Sequence, residues 1–550
     1  MKLLRIFCLL LSAAINLSLS HAQCAFEWGR QVGAESNTEC TGAGIDARGN
    51  IYATGNFTDT ARFDAATLIA AGNFYNPFIA KYAPGGNLLW ARNVEGARLS
   101  YGVAVGGDGS ACITGYFGDY AIVGSDTLES HGRQDIYIAK YDGDGNPLWG
   151  RGLGGDSLDA ARAIATDRAG NIYIAGQFAH QIDAKTLQIG SRGGNDILIA
   201  KYDANGELLW ARSAGGSGDD RGYAIGADDA GNVYVSGMFE VEAIFGADTL
   251  RSFEDAFTTF IVRLDSNGGF VWARSPGGFS TSIGRSLAAD GRGNVYVAGE
   301  LEGEAIFGLD TLASHGGRDM FVVRLDTAGE IIWGRNGGGT WHDGAHGVAI
   351  DSSGRIFCTG SAADPAFGPL YFEDDSIIAT YGSEVFVAGY DSSGRFLCGV
   401  TAGGASGDLG QGIASARNGD IYIAGAFTET ARFGAITLQG NGPIFGSGFL
   451  ARVQGLPSDV AEGDGDNSIG LSIHPNPARG TIFLRGISSS RYSCLVIIHD
   501  LLGRPVYRHE FPPASIGEDI RCDIGGIGAG IYFVRVETGG GLYRGRIVVE

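Results

Sequence analysis

A chain of 550 residues with a formal charge of −21 and a pI near 4.8 repels nucleic acid and anionic lipid surfaces, and suits divalent cations or carbohydrate better. Its 92 glycines, 10% aromatics and 18% charged residues match an all-β array, with glycine for turns, aromatics for cores and few charges to interrupt short strands. Beyond the N-terminal stretch no segment approaches the roughly 18 consecutive apolar residues of a bilayer span, so no transmembrane segment is expected.

Residues 1–22 carry Lys2 and Arg5, an apolar run from Ile6 to Leu19, and Ser20-His21-Ala22 ahead of Gln23, the pattern of a secretory signal peptide. Residues 23–455 are then one motif written seven times. The copy from Asp196 to Phe239 shows it most clearly, and its Trp anchor recurs at Trp28, Trp90, Trp149, Trp210, Trp272 and Trp333, with Cys398 in the seventh place. The period is about 61 residues, inside the range of propeller and solenoid arrays.

Each copy breaks into short β-branched or aromatic blocks bounded by Gly, Asp and Asn, which predicts four strands per copy and no helix. The links DANGE (203–207) and AGN (230–232) have the Asx and Gly chemistry of tight turns, so successive blocks pair as hairpins. That turn register sets Trp210 opposite Ala200, Trp149 opposite Ala139, Trp90 opposite Ala80 and Cys398 opposite Ala388. The last FIAKY-like block, Phe449–Val453, has no LLWAR-like partner after it, whereas FEWGR (26–30) precedes the first complete copy. A closed ring uses this permutation, so a seven-bladed β-propeller is expected, with strand 26–30 completing the last blade and Trp28 beside Ala451.

These residues resemble the bacterial seven-bladed propeller repeat of secreted and surface proteins, whose copies look like D-x-x-G-N-x-Y-x-x-G and F-x-x-K-Y/L-D-x-x-G-x-x-x-W. The resemblance covers about residues 24–455; it implies the fold and says little about activity.

Seven cysteines follow the signal, at 24, 40, 112, 358, 398, 494 and 522. Cys112 and Cys358 lie within apolar strand blocks and read as buried thiols, while Cys24 with Cys40, and Cys494 with Cys522, are the expected disulfides of an exported protein. The sixth full copy is irregular over 361–384 and has lost the Trp (Cys398), the Arg after it (Val400) and the basic residue before the Tyr (Gly389). Drift in one of seven redundant blades accounts for this, with joint loss of one outer-strand cluster as the alternative.

Residues 456–470 are acidic and rich in Gly and Asp, a linker composition; Asp464-Gly465-Asp466-Asn467 lacks the glutamate of a complete calcium loop. Residues 471–550 alternate as a second set of short strands, expected to form a small immunoglobulin-like β-sandwich. This unit resembles the type A C-terminal sorting domain of the Bacteroidota type IX secretion system in four ordered motifs: His474-Pro475-Asn476-Pro477, Asp500-Leu501-Leu502-Gly503, Gly530-Ile531-Tyr532-Phe533 and Arg546–Val549. The resemblance implies a sorting signal carried by Pro475, Asn476, Pro477, Gly503, Gly530, Tyr532 and Arg546. It further implies the type IX machinery as a partner, and transit through the periplasm to the medium or the outer-membrane surface.

No nucleophile elbow, HExxH helix or phosphate loop is present, so no catalytic or metal residues are assigned. No cofactor is required by the sequence. Calcium at the DxxGN turns is the open possibility, set against an Asp that bonds the backbone of its own turn. The Gly-Gly links after the WAR strands should open on one face around the channel. Asp159, Asp220, Asp343 and Asp408 occupy one place in four of these links, either as a carboxylate ring for a cation or sugar hydroxyls or as caps on their own backbone. In the sixth link Trp341, His342 and His346 surround Asp343, and Trp341 stands off the repeat lattice, so this loop is the candidate ligand site. The expectation is a monomeric binding or scaffold protein for an extracellular glycan or protein. The alternative is a polysaccharide hydrolase or lyase, which would need convergent carboxylates at one mouth.

Overall fold

A computed structural model describes residues 24–549 except 73, 185–186, 254–255, 277–279, 363–368, 373–374, 380–381, 443–445, 455–471, 475–477, 486–493, 500–504, 513–519 and 539–540. The expected signal peptide and linker lie outside the described residues. Two compact units divide the chain, Met1–Pro457 and Ser458–Glu550. Among the described residues every regular element is a β-strand.

The first unit is a seven-bladed propeller. Blade 3 is representative, with antiparallel strands Ala160–Thr166, Ile172–Ala184, Leu187–Tyr202 and Leu208–Ala214 in sequence order across the sheet. Second and third strands such as VYVSGMF and ILIAKY are apolar on both faces because each blade is covered by a neighbour on either side. The cores accordingly lie between blades: Tyr173, Ala175, Ile197 and Ile199 of one pack with Val233, Val235, Phe239 and Phe260 of the next. Glycine in the middle of each second strand is a steric requirement. At Gly237 a Cβ would collide with the carbonyl of Arg221, where the first strand bulges.

Blade 7 takes Leu409–Ser415, Ile421–Phe427 and Ser447–Gln454, and its fourth strand is Ala25–Val32 from the other side of the sequence. The register corrects the Trp–Ala pairings. Trp28 lies opposite Arg452, Trp90 opposite Lys81, Trp149 opposite Lys140, Trp210 opposite Lys201 and Cys398 opposite Gly389. The cause is one extra residue after each turn: Tyr202 pairs Leu208 and Lys201 pairs Trp210, leaving Leu209 bulged and 52% exposed.

The bulge places three donors side by side, and all three reach the next blade. Lys140 Nζ and Trp149 Nε1 donate to Ala204 O at 2.9 and 3.3 Å, and Arg151 Nε donates to Gly206 O at 3.0 Å. Lys81, Trp90 and Arg92 hold the carbonyls of Gly143 and Gly145 in the same way, and Arg324, Trp333 and Arg335 those of Ser392 and Gly394. From blade 1 to blade 5 the acceptor is the Asp-x-x-Gly turn between the third and fourth strands of the following blade; at the closing junction Trp28 of blade 7 lies on the Ala83–Gly86 turn of blade 1 with its Nε1 unbonded.

This latch explains the sixth blade, which the drift reading does not. Blade 7 has no such turn, because its third and fourth strands come from opposite parts of the sequence. Donors at Gly389, Cys398 and Val400 would have nothing to hold. Instead Cys398 forms a disulfide with Cys24, immediately ahead of the closing strand, with Cα atoms 5.7 Å apart. The expected Cys24–Cys40 pairing is therefore corrected: Cys40 is a buried free thiol in the core between blades 7 and 1. Cys494 and Cys522 are also free and buried, on strands of different sheets, and burial pushes both thiols up to about 11. Cys112 and Cys358 are buried free thiols as read from the sequence.

In the second unit a three-stranded sheet (Ser472–His474, Thr481–Arg485, Ile520–Asp523) and a four-stranded sheet (Pro505–Phe511, Cys494–His499, Gly530–Thr538, Gly541–Val549) share one core that includes Ile482, Val496, Ile498, Val534 and Ile547. Of the sorting-signal positions, Pro475, Asn476, Pro477 and Gly503 lie outside the described residues. Tyr532 donates its hydroxyl to Gly528 O at 2.9 Å, and Phe533 pairs with Arg546.

Candidate functional site

Five of the seven blade-to-blade links carry Gly-Gly, and four of these pair with the extended connection between second and third strands, at Gly155–Ile182, Gly215–Ile244, Gly338–Tyr371 and Gly403–Arg432. At the link between blades 5 and 6 these elements enclose a cleft of about 310 Å³, lined by Glu300, Glu302, Arg318, His342, Asp343, Gly344, His346 and Ser361. A larger cavity of about 810 Å³ lies at the outer edge of blade 1 among latch residues, including Lys81, Trp90 and Arg92, whose polar atoms are already engaged with the Gly143–Gly145 turn.

The sixth link is stapled to the third strand of blade 5. Gly317 N–H donates to Trp341 O at 3.1 Å, Asp343 N–H to Arg318 O at 2.6 Å, and Arg318 N–H to His342 Nδ1 at 3.1 Å. Because Nδ1 accepts, the neutral ring of His342 carries its proton on Nε2. Trp341 is 53% exposed, with its ring centroid 5.6 Å from that of His342 at an interplanar angle of 63°.

The floor of the cleft is an ion-pair network. Glu300 accepts from Arg285 Nε at 3.0 Å and faces Arg318 Nη1 at 3.4 Å, while Glu302 lies 3.5 Å from Arg318 Nε. Burial works to raise the Glu300 pKa, but Arg285, His346 and Arg318 together bring it below the usual glutamate value. Burial lowers His346 despite the opposing field of Glu300, and Arg285 lowers it further, so His346 is neutral near pH 7.

The structure brings His342, Asp343 and His346 to one cleft with Trp341 at its edge. It does not bring Asp159, Asp220 and Asp408 to that place; each lies in its own link, buried. Asp159 Oδ2 accepts from Gly155 N–H at 2.8 Å, Asp220 Oδ2 from Gly216 N–H at 2.7 Å, Asp343 Oδ2 from Gly339 N–H at 2.6 Å and Asp408 Oδ2 from Gly404 N–H at 2.7 Å. A second acid on the third strand of the preceding blade stands beside each of them: Asp135, Asp196, Asp319 and Glu384. At Gly215 a Cβ would lie 2.7 Å from Asp220 Oδ2 and 2.8 Å from Asp196 Cγ, which shows how closely the two carboxyls converge and why the link begins with glycine. Burial, reinforced by the neighbouring acid, raises Asp159, Asp220 and Asp408 to about 7. The DxxGN aspartates serve their own turns: Asp46 Oδ1 accepts from Arg48 and Asn50 N–H, each at 2.9 Å. Among the described residues no group of three or more His, Cys, Asp or Glu is placed to hold a metal.

Glu300, Glu302, Arg318 and Ser361 were not legible as site residues, because they stand up to about forty residues from Trp341 and reach the cleft only through blade stacking. A signal existed: Glu300 follows the fixed glycine of the second strand, a position that reads Asn56, Tyr116, Gln177, Met238, Glu300, Ser361 and Ala426 around the ring while its neighbours barely change.

Residues 472–550 match the family described as Secretion system C-terminal sorting domain. The chain thus joins a seven-bladed propeller to a sorting tail that directs export by type IX secretion, to the medium or the cell surface. Among curated proteins, the uncharacterized WD repeat-containing protein L264 of Acanthamoeba polyphaga mimivirus is 23% identical over 442 residues, covering 66% of this chain and 32% of that protein. Regulatory protein FlaEY of Caulobacter vibrioides is 26% identical over 178 residues, covering 32% of this chain and 19% of that protein. The chain therefore spans about a third and about a fifth of the length of these relatives. Solved structures include a puromycin hydrolase mutant at TM-score 0.39 and 11% identity, covering 73% of this chain and 54% of that one. A glycoside hydrolase family 43 arabinoxylan arabinofuranohydrolase from Bacillus subtilis follows at TM-score 0.26 and 12% identity, covering 97% and 96%. At such scores neither likeness carries an argument about this chain.

Proposed function

We propose that this protein is an exported, non-catalytic binding propeller, passed through the periplasm by its sorting tail, that holds an extracellular glycan in the cleft between blades 5 and 6. The observation carrying the reading is Trp341, an indole left half exposed at the edge of a polar cleft on a link fixed by three backbone-directed hydrogen bonds. A sugar ring presents an apolar face and a rim of hydroxyls, and an aromatic plane beside fixed donors and acceptors meets both. His342 Nε2–H and Arg318 supply donors. Glu300, kept ionised by its arginines, and Glu302 supply acceptors. A carboxylate held in that state accepts hydroxyls and does not donate a proton to a leaving group, which favours binding over glycosidic cleavage.

The test is a glycan array with the full exported chain, followed by titration of the best glycan against wild type and Trp341→Ala. The expected result is at least a tenfold loss of affinity with an unchanged melting temperature. Equal affinity in the two proteins would remove this cleft as the site.

A further inference from the structure

At one common place the first strand of every blade slips by one residue against the second, so one residue per blade bulges from the ladder there; blade 2 has two further irregularities, between Glu95 and Ala97 and between Ala97 and Leu99. These strands also touch one another from blade to blade around the centre of the ring. The seven bulged residues are Thr41, Tyr101, Arg162, Tyr223, Arg285, His346 and Gln411, each three residues beyond the link position held by Asp159, Asp220, Asp343 and Asp408 in their blades. His346 belongs to the cleft described above, and Arg285 holds Glu300 on its floor, so the collar and the cleft are continuous.

One arc of the collar alternates aromatic and cation. The guanidinium of Arg162 lies 4.9 Å from the Tyr101 ring centroid and 5.4 Å from that of Tyr223, and the guanidinium of Arg285 lies 5.1 Å from the Tyr223 centroid. The two arginines differ in their partners. Arg285 is neutralised by Glu300, whereas Arg162 Nε donates at 2.8 Å to the uncharged Gln177 Oε1, and among the described residues no carboxylate stands within ion-pair distance of Arg162. A partly exposed arginine without a counter-anion, in a protein of net charge −21, is placed against the prevailing charge. Its planar fork lies against two tyrosine rings, and the Tyr101 hydroxyl takes one of its N–H groups, which orders the guanidinium in place.

We infer that Arg162, between Tyr101 and Tyr223, is an anion-recognising subsite that takes the carboxylate of an acidic saccharide whose adjoining units lie toward the blade 5–6 cleft. The inference rests on the reading of this face as glycan-binding and adds the charge class of the ligand. Guanidinium and carboxylate match in a planar, two-point contact, and the tyrosine rings offer apolar planes for the pyranose that bears the acid. The fold does not need arginine here, since the same bulge is Gln411 in blade 7 and Thr41 in blade 1.

The test uses the full chain, with oligogalacturonate and its methyl-esterified counterpart as probes; the second has the same backbone without the charge. The wild type should bind the acid form at least tenfold more tightly, with affinity falling as salt is raised. Arg162→Gln, a residue the fold already accepts at this bulge, should abolish that preference and leave the esterified form unaffected, while Arg162→Lys should retain part of it. Equal binding of both forms by the wild type, or a preference unchanged in Arg162→Gln, overturns the subsite while leaving the cleft standing. Binding of neither form overturns the acidic-saccharide assignment, and loss of all glycan binding in Trp341→Ala with the charge preference untouched by Arg162→Gln isolates the failure to Arg162.

Discussion

The junction between blades 3 and 4 makes the stability of the propeller depend on pH, and the molecule supplies its own control. Asp220 and Asp196 converge there, both buried, with Asp220 raised to about 7 and Asp196 to about 6 by burial first, and Asp220 further by its neighbouring acid. Asp196 Oδ2 accepts from Arg192 N–H at 3.1 Å, whereas its Oδ1 is buried with no hydrogen-bond partner, which disfavours the ionised form. The folded state binds that proton more tightly than the unfolded chain, so its stabilising contribution is complete below the unfolded carboxylate range near 4 and is lost as pH rises through about 7. With about 1.4 kcal/mol for each tenfold change, Asp220 contributes at most about 4 kcal/mol to that fall, and because the charge of Asp196 is already part of the Asp220 shift the Asp196 figure is not added to it. Blade 4 solves the same junction without charge: Ser282 Oγ accepts from Thr259 N–H at 3.1 Å, with Thr258 in the place of Asp196. The double variant Asp196→Thr, Asp220→Ser transplants that solution. Urea unfolding followed by tryptophan fluorescence from about pH 4.5 to 8 should show a wild-type midpoint that falls with pH and a variant whose fall is shallower by about a quarter, one junction of four being neutralised. Parallel profiles for the two proteins would refute proton uptake at this junction. Stabilisation of the wild type by calcium, lost in the variant, would replace the proton with a bridging cation.

Two further perturbations address the ring. Non-reducing peptide mapping should recover Cys24 linked to Cys398, and Cys398→Ser should lower stability by about 3–5 kcal/mol, as expected for a bond closing a long loop; a Cys24–Cys40 peptide would sink the assignment. Trp210→Ala removes the bond to Ser266 O at 3.2 Å and the ring that lies on the Gly268 turn, and should cost about 3–5 kcal/mol in a urea titration, against a change near zero for the exposed bulge Leu209→Ala.

The repeat, the strand count and the seven-bladed ring were legible because each rests on local chemistry: apolar blocks, Asx-Gly turns and one missing partner strand. The register was not, since a single bulged residue at Leu209 or Leu148 moves every Trp by one position and leaves the hydrophobic pattern of the strand intact. Trp341, His342 and His346 could be singled out by their departure from the repeat. Arg318 could not, and Glu300 only by its variation at one repeat position, because the neighbour that makes them a site is contributed by another blade. The cysteines failed for the same reason, with Cys24 and Cys398 separated by 374 residues and adjacent only once the ring closes.

The irregular sixth blade shows how a repeat protein encodes its own closure. A latch of Lys, Trp and Arg is useful only where the next blade offers a continuous turn between its third and fourth strands, and in a ring closed by a strand from the other side of the sequence one blade must face two separate chain segments instead. The three latch positions lose their function together there, which is why Gly389, Cys398 and Val400 change as a set while the buried VFVAGY strand beside them keeps its pattern. The bulge residues around the collar obey the opposite rule. The ladder excludes them in every blade, so the fold places no common demand on their chemistry, and Thr, Tyr, Arg, His and Gln all occur there. Positions that vary under a constant backbone are where a propeller can change its ligand without changing its stability, and in this chain those positions adjoin the one Trp that the repeat does not require.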